Sequence, residues 1–218
     1  GFLNALEPTS MQDTNSPPMP DKVFLFSGHM IDRPDRAEPR FPADKESIAA
    51  SCIAQALDNL GAGPCDLAYA QGAAGGDILF AEACLARGLN FQMLLPFPAA
   101  EFIAASILPS ANGEAWRQRY LNLRQRLTVP PRLLPDDFEA RPSAKDGSSL
   151  DKCDQLDPYA RCNLWLLSSA LSHGFSRLRF ICLWNGGGGD GPGGTAHMVM
   201  KITRLGGKVT WLDTRELW

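Results

Sequence analysis

The sequence predicts an α/β fold: a Rossmann-like three-layer sandwich around a mainly parallel sheet of about five or more strands. Three observations carry that prediction. Short apolar runs without polar alternation, such as Val23-Phe24-Leu25-Phe26, read as strands buried on both faces. Segments of helical period separate these runs, and strand, helix, strand, helix, strand in succession demands parallel pairing with right-handed crossovers. Glycine-rich turns, Gln71 to Gly76 and Asn185 to Gly194, follow two of the strands, at the end of the sheet where such folds bind ligands.

Residues 1–21 hold Pro8, Pro17, Pro18 and Pro20 among Ser, Thr, Asn and Gln, and read as a flexible N-terminal extension or linker. The first strand, Val23 to Phe26, ends at Ser27-Gly28 and gives way to a polar loop, Met30 to Pro42. A helix is expected from near Asp44, a residue able to cap free N–H groups. Its apolar face is Ile48, Cys52, Ile53, Ala56, Leu57 and Leu60, and Gly61 and Gly63 stop it. Strand Asp66 to Ala70, helix Asp77 to Arg87 before Gly88, and strand Phe91 to Leu95 follow. Glu114 to Leu127 reads as a polar helix with Trp116, Tyr120 and Leu123 on one side, and residues 128–156, rich in Pro, Asp and Ser, as a surface loop or lid. Helix Pro158 to Ser172, strand Leu178 to Trp184, helix Thr195 to Leu205 and strand Lys208 to Leu212 complete one domain over residues 22–218, with five strands in all.

Composition narrows the function. At 218 residues the chain suits one well-cored domain. Twenty-one Lys and Arg against 24 Asp and Glu leave a formal charge of -3, without the basic excess of proteins that bind polymeric nucleic acid. No apolar run is long enough to cross a bilayer. The six cysteines form no CxxC pair and read as buried reduced thiols, and the N-terminus lacks a secretory pattern, so a cytoplasmic location is expected. His29, His173 and His197 have no metal-ligand spacing, and neither a metal nor a cofactor is expected.

Four strand-end loops carry the candidate ligand-binding residues. In the segment Asn185-Gly186-Gly187-Gly188-Gly189-Asp190-Gly191-Pro192-Gly193-Gly194-Thr195, seven of the nine positions from 186 to 194 are glycine. With a strand before it and a helix after it, such a loop lets backbone N–H groups at the positive helix end reach an anionic phosphate. The alternative is a flexible loop with no ligand. A Walker lysine and the GxGxxG spacing are both missing, which argues against an ordinary NTPase or dehydrogenase. After the first strand, Ser27, Gly28, His29 and Arg33 are positioned to reach phosphate or ribose oxygens. For His29 a structural hydrogen bond is an equal alternative, and Arg33 and Arg36 have a rival role as surface ion-pair partners of Asp32 and Asp35. In the third loop Gln71, Gly72 and Gly75 lead to Asp77, which either caps its helix or orients a ribose hydroxyl. In the fourth, Pro96-Phe97-Pro98 either sets an aromatic face against a base or is an ordinary turn.

Taken together, Phe26 to Asp32, Gln71 to Leu79 with Ala81-Glu82-Ala83, Leu94 to Phe97, and Gly191 to Thr195 resemble the SLOG superfamily of Rossmann-like nucleotide-binding domains. The similarity runs from about Lys22 to Leu212. The Ser27 to Asp32 and Gly75 to Pro96 segments look like a bacterial branch found beside signalling domains such as nucleotide cyclases. Gly191 to Thr195 looks like the PGGxGTxxE signature of the LOG nucleotide phosphoribohydrolases. Where those enzymes carry a catalytic glutamate, this chain has Met198, and Arg161 lies farther from the glycine loop than the family's arginine does. The resemblance therefore implies the fold and a nucleotide pocket more firmly than hydrolysis.

Three functions follow as expectations. The first is a module that binds or senses a nucleotide or nucleotide-derived ligand. The second is a LOG-like nucleoside monophosphate phosphoribohydrolase in which Glu82, Asp77 or Asp190 replaces the missing acid. The third is a structural interaction domain without a ligand. A homodimer or a fused signalling partner is also anticipated, the former from the apolar helix segment Asn163 to Leu167.

Overall fold

In the computed structural model the described residues are 18–138, 157–188 and 194–218. They form six strands, β1 (Val23–Gly28), β2 (Leu67–Ala70), β3 (Asn90–Leu95), β4 (Arg132–Leu133), β5 (Leu178–Trp184) and β6 (Val209–Asp213). The helices are α1 (Glu46–Asn59), α2 (Gly76–Ala86), α3 (Ala99–Ser106), α4 (Gly113–Arg126), α5 (Pro158–Leu171), α6 (Thr195–Arg204) and α7 (Thr214–Leu217). The sheet order is β4-β3-β2-β1-β5-β6, and each pair is parallel. From β1 the chain builds outward to β4, then returns past β1 to lay down β5 and β6. The order reverses between β1 and β5, and a crevice opens there at the carboxyl ends of the strands.

Alternate side chains of each strand serve opposite faces of the sheet. Phe24, Phe26, Ala68, Ala70, Phe91 and Ile181 face α1 to α4, where Ile53, Leu57, Ile78, Phe80, Phe102 and Tyr120 meet them. Val23, Leu25, Leu67, Tyr69, Phe180 and Cys182 face α5 and α6, against Leu166, Leu167, Met198 and Ile202. Phe80 is the keystone of the first face: its ring stacks on Phe26 at 4.8 Å and meets the edge of Phe91 at 6.2 Å. Above it, Arg119 of α4 bonds Glu82 of α2 and Glu46 of α1 and lies 4.1 Å from the centre of the Trp116 ring, tying three helices together.

Several expectations need correction. The sheet has a sixth strand, β4, inside the segment read as a loop; only Arg132 and Leu133 pair, through Leu94 and Leu95, which is too short for any periodic signal. The short helices α3 and α7 were not anticipated. Asp44 caps nothing: it sits inside a 3₁₀ turn, Ala43–Lys45, that leads into α1. Cys84, Cys162 and Cys182 are buried as expected, Cys52 is half-buried, and Cys65 is exposed because it lies in the turn before β2. Trp165 of α5 is covered from within the chain by Phe138 and Arg132, at 6.5 and 5.3 Å, so this helix calls for less outside cover than its sequence implied. No helix among the described residues is long and apolar enough to cross a membrane. Residues 1–17 of the extension and 139–156 of the expected lid lie outside the described residues.

Because Phe80 fills the space between Phe26 and Phe91, truncation to Ala should leave a cavity and lower unfolding free energy by about 3–5 kcal/mol. Urea unfolding of Phe80→Ala checks this, and a loss below about 1 kcal/mol would show that the two flanking rings close the gap.

Candidate functional site

The crevice at the sheet reversal is a cleft of about 460 Å³, walled by the ends of β1 and β2 and by α3, α5 and α6. On its floor the hydroxyls of Ser27, from β1, and Thr195, the first residue of α6, lie 3.0 Å apart and share a hydrogen bond across 168 residues of sequence. Gly28 is required beside them for packing: a Cβ there would come within 2.8 Å of the Phe26 ring and 3.0 Å of Leu183 Cβ. A smaller groove of about 250 Å³ between α1 and β6 is lined by Cys52, Leu60 and Leu212 among others, contains no charged side chain and lies away from the strand ends.

The turn between β2 and α2 forms one wall. Gly75 has φ 108°, and a Cβ there would fall 2.5 Å from the Ile31 backbone nitrogen. The chain past β1 crosses at that point, with Ile31 N–H donating to Ala74 O at 3.0 Å and Gly76 N–H to His29 O at 3.1 Å. Gly75 therefore serves close backbone contact, with no lining role in the cleft. Gly72, at φ 135°, faces Met93 and Tyr120 in the same way. Asp77 does line the cleft, and its carboxylate accepts the N–H groups of Gly72 and Ala73, both at 3.1 Å. The capping role expected for it does not hold: Asp77 braces the turn before its helix, whose N-cap is Gly75. Burial pushes its acid up to about 6, against the opposing pull of those two N–H bonds.

The opposite wall is the start of α5, a helix expected from Pro158 whose part in the site the sequence does not reveal. Asp157 caps that helix by accepting Tyr159 and Ala160 N–H at 2.8 and 3.0 Å. Tyr159 shares a 2.7 Å hydrogen bond with Ser106 of α3, and its ring meets Phe97 edge-on at 5.2 Å. One turn later Asn163 accepts a 2.9 Å bond from the side chain of Gln71, and both amides are buried. The sequence Asp157-Pro158, an N-cap followed by proline at the first helical position, was the available signal that a helix starts here.

Of the residues expected to bind, Ser27, Gly28, Gln71, Asp77, Gly194 and Thr195 come together in the cleft. The others lie elsewhere. His29 is buried, and its ring nitrogen accepts the Asn185 N–H at 3.1 Å, so the structural alternative describes it. Burial, then the nearby Arg40, pushes its imidazole down to about 4, and it is neutral at pH 7. Arg33 is exposed and is not part of the lining, whereas Arg36 has the surface role weighed for it, an ion pair with Asp32 at 3.5 Å. Gly186 and Gly187 are exposed and turn away from the cleft: Gly187 O accepts from the Trp184 indole, Gly187 N–H donates to the Asn185 side chain, and Gly186 packs on Arg215. Pro96 is buried, Phe97 packs on Tyr159 and Phe102, and neither lines the cleft. Glu82 is held by Arg119 on the far side of α2. Asp190, Gly191 and Gly193 lie outside the described residues.

Compared with models of known protein families and with curated proteins, the chain matches none. Fold and geometry alone carry the functional reading. Among the described residues no group of His, Cys, Asp and Glu is arranged to hold a metal ion.

His29 and Asp77 make opposite contributions to stability in acid. His29 titrates near 4 when folded and near 6.5 when unfolded, so the unfolded chain binds more protons and stability falls as pH drops from 6.5 through 4. Asp77 titrates near 6 when folded against 3.8 in its ordinary state, so the folded chain binds more protons and stability is lost as pH rises from 3.8 through 6. Each effect amounts to about 3 kcal/mol at most, and in the native chain they largely cancel. Urea midpoints of single variants should expose them: His29→Gln should weaken from pH 4 to 6, and Asp77→Asn should strengthen from pH 4 to 6.5. Flat profiles in both variants would contradict this account.

Proposed function

We propose that the cleft binds a nucleotide or nucleotide-derived phosphorylated ligand, and that the chain is a SLOG-like ligand-binding domain. The observation that carries this reading is the pairing of Ser27 with Thr195 at the β1/β5 reversal, where α6 also starts. The N-cap of α6 is Gly194, which has no side chain to occupy the first N–H groups of the helix, and both Gly194 and Thr195 line the cleft. Two hydroxyls and a positive helix end suit a phosphate oxygen. Farther out, Tyr159 supplies a ring and Gln71 a buried amide to the same space, the chemistry that a base and sugar require.

One observation favours a second reading, nucleoside monophosphate hydrolysis. Asp77 is a buried carboxyl in the cleft, poised to titrate near 6, as a general acid needs. Against it, Met198 in the place of the LOG glutamate is buried in the core against β5, so that position offers no proton. Incubation with nucleoside monophosphates and assay of released base separates the two. Binding without base release supports a sensing module, and a homodimer or fused signalling partner would then read its occupancy.

Hydrogen bonds from hydroxyls to a charged phosphate contribute about 1.5–3 kcal/mol each. Ser27→Ala and Thr195→Val should therefore each weaken nucleotide affinity by roughly 10- to 100-fold while the urea midpoint stays within error. Calorimetric titration with a panel of nucleoside mono-, di- and triphosphates measures this. Failure of the native chain to bind any of them at millimolar concentration would overturn the ligand reading and leave the structural interaction domain.

A further inference from the structure

We infer that Asp77 is the proton acceptor of the cleft: when an anion binds, Asp77 takes up a proton from solvent and meets the ligand as a neutral acid. This rests on the ligand reading above and adds how that site is regulated.

The argument begins with charge. Among the described residues that line the cleft there is no Lys, Arg or His, whereas two carboxylates, Asp77 and Asp157, are present. From the described residues, an anion entering this space meets hydroxyls and backbone dipoles and adds negative charge to a site that already has it. Two like charges a few ångströms apart in a dehydrated space repel strongly, and the system relieves this by protonating the more easily protonated group.

Geometry selects Asp77 for that part. Asp157 is already engaged as the cap of α5, where it accepts the Tyr159 and Ala160 N–H groups. Asp77 is buried, and one of its oxygens, Oδ2, takes both N–H bonds from Gly72 and Ala73. A proton on Oδ1 would leave that bracing intact and give the carboxyl a donor. The groups facing Asp77 offer no competing charge. Cys162 on α5 is a buried thiol held protonated by burial and by Asp77 itself. Tyr159 and Asn163 are neutral, as are Ser27 and Thr195 across the cleft. His29, in the chain past β1, is held neutral by burial, and Glu82 farther along α2 is neutralised by Arg119. Burial already raises the Asp77 acid to about 6 without a ligand, so one added negative charge carries it past neutrality.

The consequence is a pH-dependent ligand affinity with a defined sign. Affinity is greatest below pH 6, where Asp77 is protonated beforehand, and falls by up to about tenfold per pH unit above it until the bound form loses its proton too. The phosphate of a nucleotide titrates near pH 6 as well, so a non-titrating anion is needed beside it. The test is calorimetric titration of the native chain with adenosine 5′-monophosphate and, separately, with sulfate, at pH 7 in two buffers of unlike ionisation enthalpy. We expect uptake of close to one proton per anion with both probes, and none with sulfate in Asp77→Asn, which should bind sulfate with an affinity independent of pH from 6 to 8. Binding by the native chain without proton uptake overturns the role of Asp77 and leaves the ligand reading standing. Uptake that persists in folded Asp77→Asn assigns the proton elsewhere and also overturns it. If neither probe binds, the ligand reading fails and this inference fails with it. The native measurement alone decides the matter if the variant does not fold.

Discussion

The parallel pairing of β1 with β5, from Val23 opposite Leu178 to Gly28 opposite Leu183, is the contact on which the rest of the structure depends. It joins the first strand to one laid down some 150 residues later, after the chain has built the other half of the sheet. β1 is paired along its whole length with β5 and over Val23 to Leu25 with β2, so the strand cannot shift register without disturbing both neighbours. That fixes the height of Ser27 and Gly28 against Cys182 and Leu183, and thereby where the chain leaves β5. The meeting of Ser27 with Thr195 is a consequence of sheet register, and their rigidity is the rigidity of the core.

Much of this was legible in the sequence because fully buried parallel strands leave an unmistakable trace. Runs such as Val23 to Phe26 and Phe180 to Trp184 have no charged interruption, and both strands lie where their residues place them. β4 escaped because two residues carry no period, and α3 because Ala99 to Ser106 follows a Pro-Phe-Pro turn that reads equally well as loop. The site was half legible. Glycines mark where backbone must come close, but they do not say to what: Gly75 makes room for the chain at Ile31, and Gly28 for Phe26, so the partner is protein. Tyr159, Asn163 and Ser106 were invisible because their place in the cleft depends on the angle of α5 and on the end of α3, which tertiary packing sets. His29 misled for the opposite reason. A histidine beside a strand end has the chemistry of a ligand group, and only burial and the Asn185 N–H show that this one holds two loops together.

The electrostatic character of the cleft sets it apart from phosphate sites built on basic side chains. Its attraction for an anion comes from a helix end and hydroxyl groups, whose partial charges are fixed by the fold and act only at short range. Its repulsion would come from the carboxyl groups of Asp77 and Asp157, of which the buried Asp77 is the one proposed to exchange its charge with solvent. A site made this way has modest standing affinity and a large response to protonation. Under the function proposed above, such a site would report a ligand more than retain one, and Met198 is buried where a hydrolase of the LOG type would keep its acid.

The glycine loop fits the same logic once its two described ends are compared. At the near end, Asn185 to Gly187 are folded back on Trp184, whose indole donates to Gly187 O at 2.9 Å, while Trp211 donates to Trp184 O at 2.8 Å and Arg215 packs on Gly186. At the far end, Gly194 and Thr195 face the cleft. Among the described residues of the run, the first glycines therefore form an anchored turn outside the site, and Gly194 is the one that lines it. Glycine content is shared between two tasks with different demands: a positive φ of 78° at Gly186 for the turn, and the absence of a side chain at Gly194 for approach to the helix end. A bulky residue at Gly186 would strain the turn against Arg215 without entering the cleft, whereas one at Gly194 would stand over the N–H groups of α6.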